Sequence, residues 1–137
     1  MDVDSAARAW AQGWARAWRA TDPDAVAELY ADDCVFRSHP FREPHLGRAG
    51  AREYAARAFA AEEGAPELVR FGEPIAETDA AAVEYWAVVR ERGQPVTIAG
   101  IAVLRFGDDG LVREQHDYWA LEPGAREPWD GWGRFSS

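Results

Sequence analysis

Apolar positions along the chain change their period once, and the change divides it in two. Over residues 5–20 the pattern is helical: Trp10, Trp14 and Trp18 stand at strict i, i+4, i+8 spacing, which puts three indoles on one face. Thr21-Asp22-Pro23-Asp24 offers a cap and a first-turn proline, so a second helix is predicted over 23–30 and ends at Ala31-Asp32-Asp33. Residues 34–41 read as a strand closed by Pro40, and 44–47 as a loop. A third helix is predicted over 49–62, with Tyr54, Ala58 and Phe59 available for its buried face. From there the period is that of strands, over 67–77, 81–92, 96–106 and 111–121, joined by short polar turns. Helices on one side of a curved antiparallel sheet make a two-layer α+β fold that can enclose a pocket.

A chain of 137 residues fits one domain, with a core over 5–121 and a tail over 122–137. The tail carries Trp129, Trp132 and Phe135, too aromatic for a free end, and is expected to pack across the domain or onto a partner chain. The formal net charge of −9 argues against nucleic acid and anionic membranes as partners. No apolar run spans a bilayer, Cys34 has no disulfide partner, and Arg8, Gln12, Arg16 and Arg19 interrupt any leader-like run, so a cytoplasmic location is expected. His39 and His45 lack partners at metal-ligand spacing, and neither a metal nor a cofactor is expected.

The stretches 21–41 (TDPDAVAELYADDCVFRSHPF), Glu43-Pro44 to Gly47 and 110–119 (GLVREQHDYW) resemble the nuclear transport factor 2-like superfamily, and within it the SnoaL-like polyketide cyclase group. The resemblance implies a cone-shaped, antiparallel to mixed sheet wrapped around three helices. Its register implies a pocket side formed by Phe36, Ser38, Glu84, Trp86, Val88, Ile98, Gly100, Ala102, Leu104, Gln115, Asp117 and Trp119. The opposite side, with Tyr85, Ala87, Val89, Ala99, Ile101, Val103, His116 and Tyr118, is also largely apolar. A sheet apolar on both faces needs two covers, and a second copy of the chain in an isologous homodimer is the expected second one.

The resemblance also tests known chemistries. The tyrosine and two aspartates of steroid-isomerase-like members correspond here to Trp14, Ser38 and Ala102, so that chemistry is lost. Of the set used by limonene-epoxide-hydrolase-like members, Asp117 matches, while the other places hold Glu84, Trp86, Phe36 and Ser38. A SnoaL-like cyclase needs one acidic base in the pocket, which Asp117 can supply.

The expected catalytic set is therefore Asp117 as base, Glu84 as a proton partner or else a salt-bridge member with Arg90 or Arg113, and Ser38 as a polar anchor. Trp14, Trp18, Phe36, Trp86, Ile98, Gly100, Ala102, Gln115 and Trp119 are expected to hold substrate, with Gly100 and Ala102 leaving room for it. Two functions stay open. One is a cofactor-independent acid-base enzyme acting on an apolar, ring-containing molecule; the other is a non-catalytic ligand-binding or dimerisation module of the same fold.

Overall fold

The computed structural model describes residues 1–135, so the last two residues of the tail lie outside it. Its first helix, α1 (Val3–Ala20), begins where the Asp2 carboxylate accepts the Ser5 amide and ends where Thr21 turns into the left-handed region at φ 50°. Its inner face is the expected one: Ala7, Trp10, Ala11, Trp14, Ala17 and Trp18 are all buried. Asp22 caps α2 (Pro23–Ala27) by accepting the amides of Asp24 and Ala25.

That helix is shorter than the predicted 23–30, because the chain enters β1 (Tyr30–Arg37) at a fully buried tyrosine. The predicted strand over 34–41 is thus four residues late. Asp32 and Asp33, read from sequence as a helix end, are exposed positions of this strand and pair with Arg48 at 3.4 Å and Arg113 at 3.1 Å. A two-residue strand, β2 (His45–Leu46), pairs with β1 and leads into α3 (Gly47–Ala61).

The predicted strand over 67–77 is two short ones, β3 (Leu68–Phe71) and β4 (Ile75–Glu77), split at Gly72-Glu73-Pro74. Both pair with successive halves of β5 (Ala80–Glu91). The long strands β5, β6 (Gln94–Phe106) and β7 (Val112–Pro123) form an antiparallel meander, and β7 closes onto β1 in parallel. The mixed sheet runs β2-β1-β7-β6-β5-β3, curving around the helices without closing. No helix is long and apolar enough to cross a membrane.

Strand register is where the sequence reading needs correction. A two-residue turn at Arg92-Gly93 pairs Glu91 with Gln94, and from that pairing Tyr85 falls opposite Gly100 and Ala87 opposite Ile98. Side chains alternate, so a one-residue difference in register exchanges the two faces of a strand. Val83, Tyr85, Ala87 and Val89 therefore face the core, while Glu84, Trp86 and Val88 face out, the reverse of the expectation for β5.

The outer side has its own cover. After β7 the chain turns back across β6, β5 and β3 as a strap. Thr97 donates its hydroxyl to the Gly124 carbonyl and accepts the Arg126 amide, and Trp86 donates its indole N–H to the Arg126 carbonyl at 2.8 Å. Trp86 also packs edge-on against Trp129 and Trp132, with Arg70 above the Trp132 ring. At the far end Glu73 donates its amide to the Gly133 carbonyl, and Gly72 lies so close that a Cβ there would sit 2.9 Å from the Gly133 Cα. The tail thus packs across its own chain.

Gly100 does not open space either. A Cβ on it would meet the Tyr118 carbonyl oxygen at 2.5 Å, Trp119 Cβ at 2.7 Å and Tyr85 Cζ at 2.9 Å, so the Tyr85 ring already fills that place. Overpacking against backbone costs on the order of 1–3 kcal/mol. Gly100→Ala should lower stability by about that amount in urea unfolding, and an unchanged midpoint would refute the close packing.

Candidate functional site

The helices and the inner face of the sheet leave a cavity of about 120 Å³, open at one end. Its walls come from α1 (Trp10, Trp14, Trp18), from α3 (Tyr54, Ala58, Phe59), and from Phe71, Tyr85, Val89, Ile98 and Trp119 of the sheet. A dry cavity of about 150 Å³ takes a benzene ring, so this one suits one small ring with the rest of a ligand toward the opening. Register places the parts in depth. Asp117 pairs across Ala102, well along the sheet, whereas Ile98 and Leu121 pair with each other near the ends of their strands, the side on which Glu91 closes β5.

At the inner end a directed chain of hydrogen bonds runs into Asp117. Trp14 and Trp10 donate their indole N–H groups to the Tyr30 hydroxyl at 2.8 and 3.3 Å, and Tyr30 donates to Gln115 Oε1 at 2.5 Å. Gln115 in turn donates from Nε2 to Asp117 Oδ1 at 2.9 Å. Each donor along it is committed, which fixes the Gln115 amide with its N–H side toward the acid. Among the described residues no wholly buried side-chain N or O lacks a partner, and Asp117 engages only Oδ1, so Oδ2 is the atom left to the cavity.

Asp117 is only 7 % exposed. Loss of hydration pushes its carboxyl up to about 7, with the Gln115 hydrogen bond acting in the opposite direction. Burial, and secondarily the neighbouring Asp117 charge, pushes the Tyr54 and Tyr85 hydroxyls above their ordinary range and keeps them protonated. Neither phenol has a hydrogen-bond partner among the described residues, so both are free donors in the cavity wall.

A second carboxyl reaches the cavity from the end of α3. Glu62 accepts the Trp18 indole N–H at 2.8 Å, and burial, with a smaller contribution from Glu91, raises it to about 7. Sequence reasoning assigned the proton-partner role to Glu84, which instead lies on the outer face of β5, away from the cavity; Arg90 and Arg113 bond Glu67 and Asp33 rather than Glu84. A signal for Glu62 was present: it follows Tyr54 and Ala58 at i+8 and i+4, on the face already assigned to the core.

Of the other expected site residues, Trp14, Trp18, Ile98, Gln115 and Trp119 line the cavity together with Asp117. Phe36 does not; it is sealed beneath Tyr30 and Tyr54, stacked on the former at 5.7 Å. Gly100 and Ala102 lie under the Tyr85 and Asp117 strands rather than in the wall, and Trp86 anchors the strap. Ser38 follows β1 outside the cavity lining, with its hydroxyl 2.8 Å from His45 Nε2 and its carbonyl accepting the Trp119 indole N–H. His116 faces outward and meets Glu114 at 3.0 Å. No group of three or more His, Cys, Asp or Glu side chains suited to a metal occurs among the described residues.

A sequence profile of the SnoaL-like domain matches residues 11–115. The chain belongs to the SnoaL-like family. Its fold is that of the nuclear transport factor 2-like superfamily. SalBIII, an epoxide hydrolase/cyclase-like enzyme with a role in pyran ring formation in the polyether salinomycin, superimposes with a TM-score of 0.71 at 19 % identity, over 85 % of this chain and 94 % of its own. A hypothetical protein of ketosteroid isomerase-like fold from Catenulispora acidiphila, solved in complex with trimethylamine, superimposes with a TM-score of 0.67 at 23 % identity, over 80 % of this chain and 83 % of its own. No curated protein matches the chain.

The raised carboxyl has a thermodynamic signature. In the unfolded chain Asp117 titrates near 3.9, in the fold near 7, so between those values the folded state holds the extra proton. Its stabilising contribution is full below about pH 4 and is lost as pH rises through 7. Asp117→Asn keeps the Gln115 hydrogen bond and stays neutral. The melting temperature of wild type relative to this variant should therefore fall by several degrees between pH 5 and pH 8, with Glu62 cancelling in the difference; a flat difference would mean that Asp117 is not desolvated.

Proposed function

We propose that this SnoaL-like protein is a cofactor-independent enzyme that performs general acid-base chemistry on a small, apolar, ring-containing molecule held in the aromatic cavity. The observation that carries the reading is Asp117: a carboxyl sealed among aromatic rings, raised to about 7, with Oδ2 facing the cavity and Oδ1 held by Gln115. A base with that affinity for protons is poised to take one near neutral pH and return it. Tyr54 and Tyr85 supply neutral O–H donors in the same wall, suited to a substrate oxygen on which negative charge develops. Isomerisation, cyclisation, dehydration and epoxide opening all use a base and a donor in this relation, and SalBIII, of similar fold, is epoxide hydrolase/cyclase-like.

One observation favours a second reading, a non-catalytic binding module. Ser38, Glu84 and Trp86, at places where relatives carry further chemistry, lie outside the cavity, so Asp117 stands without the usual companions. Titration of the Asp117 side-chain carbon by NMR together with conversion of an epoxide and enone panel separates the two. The enzyme reading expects a midpoint near 7, activity rising with pH through the same midpoint, and loss of at least a hundredfold in Asp117→Asn. A carboxyl titrating near 4, or full activity in the variant, overturns it.

We also infer that the strip of outer sheet the strap leaves open, with Ile101 between Val103 (41 % exposed) and Tyr118 (49 % exposed), pairs with a second copy of the chain. Light scattering should show a dimer, and Val103→Glu should yield a monomer of unchanged circular dichroism; a monomeric wild type at 100 μM, about the concentration at which weak pairs persist, overturns the pairing. A buried free Cys34 supports a cytoplasmic location.

A further inference from the structure

The cavity carries an imbalance of charge that a neutral ring does not explain. Its acidic members are Asp117 within and Glu62 and Glu91 toward the opening, and no arginine or histidine lines it. The chain has no lysine and 15 arginines, so cations were available. Two of those on the elements that lead to Glu62 and Glu91 are engaged elsewhere: Arg57 with Glu53, and Arg90 with Glu67 and the Gly93 carbonyl. Glu62 receives only a neutral indole N–H, and Asp117 only a neutral amide. Four indoles, Trp10, Trp14, Trp18 and Trp119, share the lining with these carboxyls, and indole π-systems attract cations and repel anions.

We propose that the ligand of this cavity is an organic cation, a tertiary or quaternary ammonium joined to a small apolar ring, with the ring against the inner aromatic walls and the nitrogen between Glu62 and Glu91 at the opening. The inference rests on reading the cavity as a ligand site and adds the charge class of what enters it. Three features meet in one place: a ring-sized hollow, a lining rich in indoles, and carboxyls without a cationic partner. Asp117 adds a third carboxyl to the same lining, on a residue only 7 % exposed that is hydrogen-bonded through Oδ1 alone. An anionic ligand would meet repulsion from every ionised group in the wall. A neutral one would leave the repulsion between Glu91 and Glu62 to be relieved only by a proton on Glu62.

The test compares N,N-dimethylbenzylamine, protonated at pH 7.5, with isobutylbenzene, its neutral isostere, in titrations read from the indole N–H resonances of Trp14, Trp18 and Trp119. Hydrophobic transfer alone favours the hydrocarbon, because the ammonium must shed water to enter. The proposal expects the amine to bind at least tenfold tighter in spite of this, and the paired variant Glu62→Gln, Glu91→Gln to erase that preference while leaving isobutylbenzene affinity within twofold. Amine binding weaker than tenfold over the hydrocarbon, or a preference untouched by the two substitutions, overturns the cation assignment. If the hydrocarbon binds as well as or better than the amine, the apolar-substrate reading survives alone. If neither probe moves the indoles, the ligand site itself is refuted and both readings fall. The wild-type comparison decides even if the paired variant misfolds.

Discussion

The Tyr30 hydroxyl is the interaction on which the arrangement depends. It is fully buried, accepts from two indoles of α1 and donates to Gln115 of β7, so one oxygen ties the first helix to the strand that carries the acid. A buried hydroxyl without partners costs about 1–3 kcal/mol, and here every partner is itself oriented by the bond it makes. The consequence reaches both ends of the chain of bonds. The indoles of Trp10 and Trp14 are fixed by their N–H groups on Tyr30, which is not part of the cavity lining, and Gln115 is held with its donor side on Asp117. The desolvated carboxyl thus has one oxygen restrained and one presented.

How much of this was legible in the sequence differs by element. The tryptophan spacing in α1 gave its buried face, because helical period alone decides which side of a helix three large rings occupy. Asp117, Gln115 and Trp119 line the cavity, on the side of β7 that the family resemblance implied. The sheet partner β5 was read in the wrong parity, although its turn was short enough to count: two residues, Arg92 and Gly93, force Glu91 onto Gln94 and settle every side chain before it. Taking the family's expected pocket side for this strand in place of that count moved Glu84 and Trp86 inward on paper. The start of β1 was hidden for another reason. Asp32-Asp33 is a turn-like pair by composition, and only the distant Arg48 and Arg113 make it tolerable in a strand.

The corrected faces alter the character of the site. With Glu84 outside and Glu62 inside, the acids are no longer neighbours on one sheet but stand on opposite layers, Asp117 on the sheet and Glu62 at the end of a helix, with the hollow between them. Both are raised by loss of water rather than by each other, so their protons are governed by whatever fills that hollow. On the reading proposed above, the aromatic lining supplies shape and polarisability, and the carboxyls choose among molecules of equal shape.

The near-touching backbones at Gly72 and Gly133 bind two distant parts of the chain to a common fate. Neither position can gain a side-chain atom while the other keeps its place, since each Cα stands only 2.9 Å from where the other's first side-chain carbon would go. In any library of variants these two glycines should behave as a single locus: tolerance at one appears only in backgrounds where the closing strap has already been lifted.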